Sequence, residues 1–131
     1  MKKLIVLLFA LIVVTPIFAQ EKQLNIPQSA SEPVEGASYK LFPTSNMWSF
    51  LKLDTRNGRI WRVQFSVKGS DYRYENSISL EKRVYSEEDE KPGRFTLYAT
   101  DNIYNFLMLD QIDGRCWQVQ WGDNPMVIRI Y

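Results

Sequence analysis

"FLKLDTRNGRIWRVQF", Phe50 to Phe65, returns as "FLMLDQIDGRCWQVQW", Phe106 to Trp121, at a constant offset of 56 positions. Inside it, Phe50/Phe106, Leu51/Leu107, Leu53/Leu109, Asp54/Asp110, Gly58/Gly114, Arg59/Arg115, Trp61/Trp117, Val63/Val119 and Gln64/Gln120 are identical. The match runs back without a gap through Asn46/Asn102, Thr44/Thr100 and Leu41/Leu97, with Trp48/Tyr104 and Phe42/Tyr98 exchanged like for like. It can be pushed to Tyr39/Phe95. A repeat of this length decides the architecture before any other feature is weighed.

Both copies are rich in Trp, Phe, Tyr, Val, Ile and Leu, which suit a pleated, half-buried surface. Along "RIWRVQF", Arg59, Trp61, Val63 and Phe65 share one face, and Ile60, Arg62 and Gln64 the other. That period of two is a strand. The pairs Asn57-Gly58 and Asp113-Gly114 are hairpin signals. Strands are therefore expected near 39–42, 47–54 and 59–67, and again near 94–99, 103–110 and 115–121. A further strand is expected within 71–80, with a short helix over "YENSISLEKRVY" as the alternative, and "MVIRIY" is expected to close the chain. "SEEDEKPG", within a charged connector near 82–93, reads as a solvated tip and lacks the ligand spacing of a calcium loop.

Large apolar groups stand on both faces: Trp48, Phe50, Trp61 and Phe65 on one kind of position, Met47, Leu51, Leu53 and Ile60 on the other. A solitary antiparallel sheet needs only one apolar face, so two imply a second layer, a closed barrel or a partner. The expectation is an all-β, antiparallel fold. Two tandem β-meander repeats (39–80 and 95–131) would pack as a pseudo-two-fold sandwich or small barrel, with propeller-blade-like repeats as the alternative.

The amino terminus is a different kind of sequence. Lys2-Lys3, the apolar run Leu4–Val14 and Ala19 have the order of a secretory signal peptide over 1–19. Residues 20–37 read as a flexible leader, and 38–131 as one domain. Loss of Lys2 and Lys3 takes the basic count from 16 to 14 against 15 acidic residues. A near-neutral chain gives no argument for nucleic acid, and after cleavage nothing is expected to stay in a membrane. A periplasmic or extracellular location follows. Cys116 is single and there is no histidine, so neither a thiol nucleophile with its base nor a common metal site is expected, and no cofactor.

Asp54, Gly58, Asp110 and Gly114 read as turn residues: the carboxylate accepts backbone N–H groups and the glycine takes φ > 0. Trp61 and Trp117 are expected to pack, or to form an exposed aromatic surface. Arg59 and Arg115 are expected to stack on those rings or pair with Asp54 and Asp110. Gln64 and Gln120 either bind a backbone group where strands diverge or point into a ligand groove. With Trp48 and Tyr104, these residues are the candidate ligand- or partner-binding set.

"FLKLDTRNGRIW" and "FLMLDQIDGRCW" resemble the strand–turn–strand element of quinoprotein-type β-propeller blades. Asp54, Gly58 and Trp61, then Asp110, Gly114 and Trp117, take the recurring positions, with two residues between glycine and tryptophan where that pattern usually has three. The longer "LFPTSNMWSFLKLDTRNGRIWRVQF" is similar to small exported proteins of the Bacteroidetes type that have no settled function, which implies a cell-envelope protein. The functional expectation is a non-catalytic exported binding or inhibitory module with an unknown protein or glycan partner. A structural or self-assembling envelope subunit is the alternative, and an envelope hydrolase a third.

Overall fold

The structure, a computed structural model, describes residues 35–131. The expected signal peptide and residues 20–34 of the leader lie outside the described residues. Eight strands form two four-stranded antiparallel meanders in tandem. The first contains β1 (Tyr39–Pro43), β2 (Ser49–Asp54), β3 (Ile60–Gln64) and β4 (Tyr74–Ser79). The second contains β5 (Phe95–Ala99), β6 (Asn105–Asp110), β7 (Cys116–Gln120) and β8 (Met126–Ile130). The first three strands of each sheet keep the 56-residue offset. The fourth falls at 74 and 126, because copy one has a longer loop containing a 3₁₀ turn at Ser70–Tyr72. "YENSIS" is strand, not helix.

Antiparallel register places directly opposed residues on one face. Leu51 faces Phe42 and Arg62, and Leu53 faces Ile60, so these side chains share a face of the first sheet. Lys52 lies opposite Leu41 and Trp61, and Phe50 opposite Val63, on the other face. The second sheet repeats this. Leu107, Leu109, Cys116 and Gln118 take one face, and Leu97, Phe106, Met108, Trp117 and Val119 the other.

Burial is exchanged between the copies. Leu51, Leu53 and Ile60 are 0% exposed, while Leu107, at the place of Leu51, is 42% exposed. On the opposite face Leu97 is 5% exposed and its twin Leu41 58%. Phe95, Phe106, Met108, Trp117 and Val119 join Leu51, Leu53 and Ile60 in a single core, with Phe42, Ile78, Val84 and Val127 against it. The leucine face of the first sheet thus packs on the tryptophan face of the second. The sheets do not close into a barrel. Unlike faces, not equivalent ones, meet between the two sheets, which a two-fold axis relating the copies would not give.

One irregularity serves this core. Ile60 pairs with Ser79 and Trp61 with Ser77, so a bulge leaves Ile78 over, and its side chain is partly buried against the core.

The connector is less free than its composition implies. Arg83 is buried and wedged at the join: its N–H donates to the Asn57 carbonyl at 2.8 Å and its guanidinium to Ser79 Oγ at 2.9 Å. Its own carbonyl accepts from Arg115 Nη2 at 2.8 Å. The acidic segment makes a 3₁₀ turn, Glu87–Asp89, but Glu90 is drawn inward, accepting from Asn57 Nδ2 at 3.0 Å and pairing with Lys82 Nζ at 2.6 Å. Those partners hold the Glu90 carboxyl below its ordinary value. The end of the expected leader is also tied down, because Thr55 Oγ1 donates to the Ala37 carbonyl at 2.6 Å.

Candidate functional site

The hairpin turn is built alike in both copies. Gly58 N–H donates to the Asp54 carbonyl, and Gly114 N–H to that of Asp110, each at 2.9 Å. The glycines have φ of 80° and 77°, the left-handed region that a Cβ disfavours. Each aspartate also accepts the backbone N–H two residues on, from Arg56 at 3.1 Å and from Ile112 at 3.0 Å.

The carboxylates are neutralised differently. Asp54 is held by Arg56 of its own turn, through Nε and Nη2, both at 2.9 Å. The Arg59 guanidinium, expected as a partner of Asp54, makes no bond to its carboxylate, and its Nε is buried with no acceptor among the described residues; the two residues meet only through the backbone, Asp54 N–H donating to the Arg59 carbonyl at 2.9 Å. Asp110 is fully buried beneath two cations, Arg94 Nη2 at 2.9 Å and Arg115 Nη2 at 3.1 Å. Burial alone would raise both carboxyls. The guanidinium and backbone hydrogen bonds outweigh it and hold both below the ordinary 3.8. Neither is placed to donate a proton near neutrality.

At the other end of each sheet a second pair of loops repeats. Thr44 Oγ1 donates to the Ser49 carbonyl at 2.8 Å, and Asn46 Oδ1 accepts the Trp48 N–H at 2.9 Å. Thr100 and Asn102 do the same for Asn105 and Tyr104, at 2.9 and 3.1 Å. This closed loop sets an aromatic ring beside the end of the third strand. Trp48 lies 5.2 Å from the Phe65 ring, and Tyr104 6.1 Å from Trp121. A cleft of about 320 Å³ opens here in copy one, lined by Asn46, Trp48, Gln64, Phe65, Lys68 and Tyr72 among others. Its counterpart in copy two, about 440 Å³, is lined by Asn102, Tyr104, Asn105, Gln120, Gly122, Asp123 and Asn124.

Gln64 and Gln120 each bind a backbone group, one of the two expectations for them, and each lines its cleft. Gln64 Nε2 donates to the Tyr72 carbonyl at 3.2 Å and Gln120 Nε2 to the Asn124 carbonyl at 3.1 Å, so each fastens the loop that walls its cleft. Gln64 Oε1 also accepts from the Tyr74 hydroxyl at 2.7 Å.

The candidate set is therefore divided. Trp48, Gln64, Tyr104 and Gln120 lie in the paired clefts. Trp61 is half-buried on the outward face of the first sheet, with Lys52 Nζ 4.7 Å above its ring. Trp117 is buried between the sheets, with Arg129 and Arg115 at 4.9 and 5.3 Å. Arg115 does what was expected of it, stacking on Trp117 and pairing with Asp110. Phe65, Lys68 and Tyr72 complete the first cleft and were not singled out. The aromatic exchange Phe65/Trp121 was the available signal, whereas Lys68 and Tyr72 lie in the loop where the copies diverge.

Among the described residues no group of three or more His, Cys, Asp or Glu side chains could hold a metal ion. Among them, too, no helix is long and apolar enough to cross a membrane. Comparison of the chain with protein-family models, with curated proteins and with solved structures finds no match in any of the three.

Proposed function

We propose that this chain is a non-catalytic, exported binding module whose contact surface is the pair of repeat-related clefts. The observation that carries this reading is the duplication of one constellation at one end of both sheets. In each cleft a ring left partly in solvent, Trp48 at 37% or Tyr104 at 53% exposure, stands beside side-chain amides. A half-exposed ring offers an apolar platform, and amides supply both donors and acceptors. That chemistry suits a glycan of the cell envelope, whose C–H face lies on the ring while its hydroxyls bond to the amides. The signal-like amino terminus supports export. A hydrolytic reading gains nothing from Asp54 and Asp110, which are saturated with donors and held ionised.

The test is titration of the protein with solubilised envelope polysaccharide and, separately, with solubilised envelope proteins, read by tryptophan fluorescence and calorimetry. Trp48→Ala and Tyr104→Ala should each weaken polysaccharide binding about tenfold, equivalent to about 1.4 kcal/mol, with the melting temperature nearly unchanged. Binding of a protein fraction alone would move the ligand class. Binding of either kind that is indifferent to both substitutions would remove the clefts from the account.

A further inference from the structure

Among the described residues, the exchange of burial leaves each chain with two uncovered faces that are not alike. On the second sheet the spare face carries Tyr98, Leu107, Leu109, Cys116, Ile128 and Ile130, and its strands hold no charged side chain there. The equivalent face of the first sheet, which the molecule buries, includes Lys40 and Arg62. The outward face is thus less charged than its buried twin, the reverse of a face shaped for water. Leu107, Ile128 and Ile130 are 42%, 51% and 45% exposed.

What covers such a face is shown within the chain. In copy one, Leu51, Leu53 and Ile60 are covered by the face holding Phe95, Leu97, Phe106, Trp117 and Val119. The same chain has a spare version of that covering face on its first sheet, with Tyr39, Leu41, Phe50, Trp61 and Val63 at the corresponding positions. Two positions within it are charged where the covering face is apolar, Lys52 for Met108 and Glu75 for Val127. Lys52 pairs with Glu75 across the intervening β3 and lies over Trp61, so the two charges balance each other within their own sheet.

We infer that the chain associates with further copies of itself head to tail, the leucine face of one second sheet receiving the tryptophan face of the next chain's first sheet. The contact reuses the internal junction between the two repeats. Because the joined faces differ, it is heterologous and leads to a closed ring or a filament rather than a two-fold dimer. It stands independently of the cleft reading.

The test uses the full chain and two variants at exposed positions, Leu107→Glu on the leucine face and Leu41→Glu on the tryptophan face. Circular dichroism first establishes that both variants keep the wild-type spectrum. In sedimentation equilibrium from micromolar to submillimolar concentration, the wild type should exceed the monomer mass by roughly twofold or more. Each variant alone should stay monomeric. An equimolar mixture of the two should form a one-to-one dimer and stop there, since one intact face of each kind remains. Cys116 should become protected from a thiol reagent as the wild type associates. A wild type monomeric throughout, association that survives either substitution, or a mixture that stays monomeric would overturn the inference.

Discussion

Gly58 and Gly114 share a turn, a backbone angle and a sequence context, yet they differ in what surrounds them. A methyl group on Gly58 would meet Arg83 Cδ at 3.3 Å and Phe95 Cδ1 at 3.4 Å, whereas at Gly114 it meets nothing within 4 Å. Both substitutions must place a Cβ at positive φ, a cost of about 1–2 kcal/mol. Gly114→Ala should show that cost alone in urea denaturation. Gly58→Ala should lose clearly more, because Arg83 and Phe95 must also give way. Equal losses would mean that the connector does not pack on the first turn as described. The requirement for glycine was legible in Asn57-Gly58 and Asp113-Gly114, but the crowding was not, since both neighbours come from outside the hairpin.

At the scale of the element, the strands were legible and their fates were not. Period-two alternation and the repeated turn place all eight strands within a few residues of their observed bounds. The alternation is the same in both copies, so it cannot say which face is covered. Leu51 and Leu107 are the same residue in the same register with opposite burial. Lys52 against Met108 is the local hint that the faces are used differently. Arg94 was invisible for another reason. Its counterpart is Ser38, so nothing in the repeat announces that it will pair with a buried carboxylate. Asp110 ties the chain entering β5 to the start of β7 through Arg94 and Arg115. Asp110→Asn removes the buried carboxylate between Arg94 and Arg115, leaves the partly exposed Asp113 as their remaining ion-pair partner, and should cost about 3 kcal/mol. The acid side tests the same element. Asp110 is held below 3.8 in the folded chain, so its contribution is complete above the unfolded value and is lost as pH falls through the folded one. Wild-type stability should decline below about pH 4, and the Asp110→Asn variant should decline less steeply in urea titrations across that range.

Residues 35–131 form a stack of two like-oriented sheets, and the two members of a repeated pair therefore answer differently to one substitution. Leu51→Ala removes volume from the middle of the join and should destabilise by about 2–5 kcal/mol. Leu107→Ala, made on the free face and measured at low concentration, should cost less than about 1 kcal/mol. Chemical denaturation of the two variants side by side checks the order. Similar losses would place both leucines in equivalent surroundings and contradict a stack. The sequence could present two apolar faces and demand a cover for each, but the choice of cover depends on contacts between residues some fifty positions apart.

Like orientation has a final consequence for the paired clefts. The loops that form them lie side by side, with Ser45 Oγ donating to the Ile103 carbonyl at 3.4 Å, so both clefts open at one end of a molecule whose sheets share a core. On the proposed binding role, a ligand that repeats its unit along a chain would meet two subsites at fixed separation, and the second engagement would proceed at the high effective concentration set by the first. Shallow, individually weak subsites would then suffice for firm retention on a polymer. The monomeric unit of that polymer, offered alone, should then bind feebly and compete poorly in the same titration.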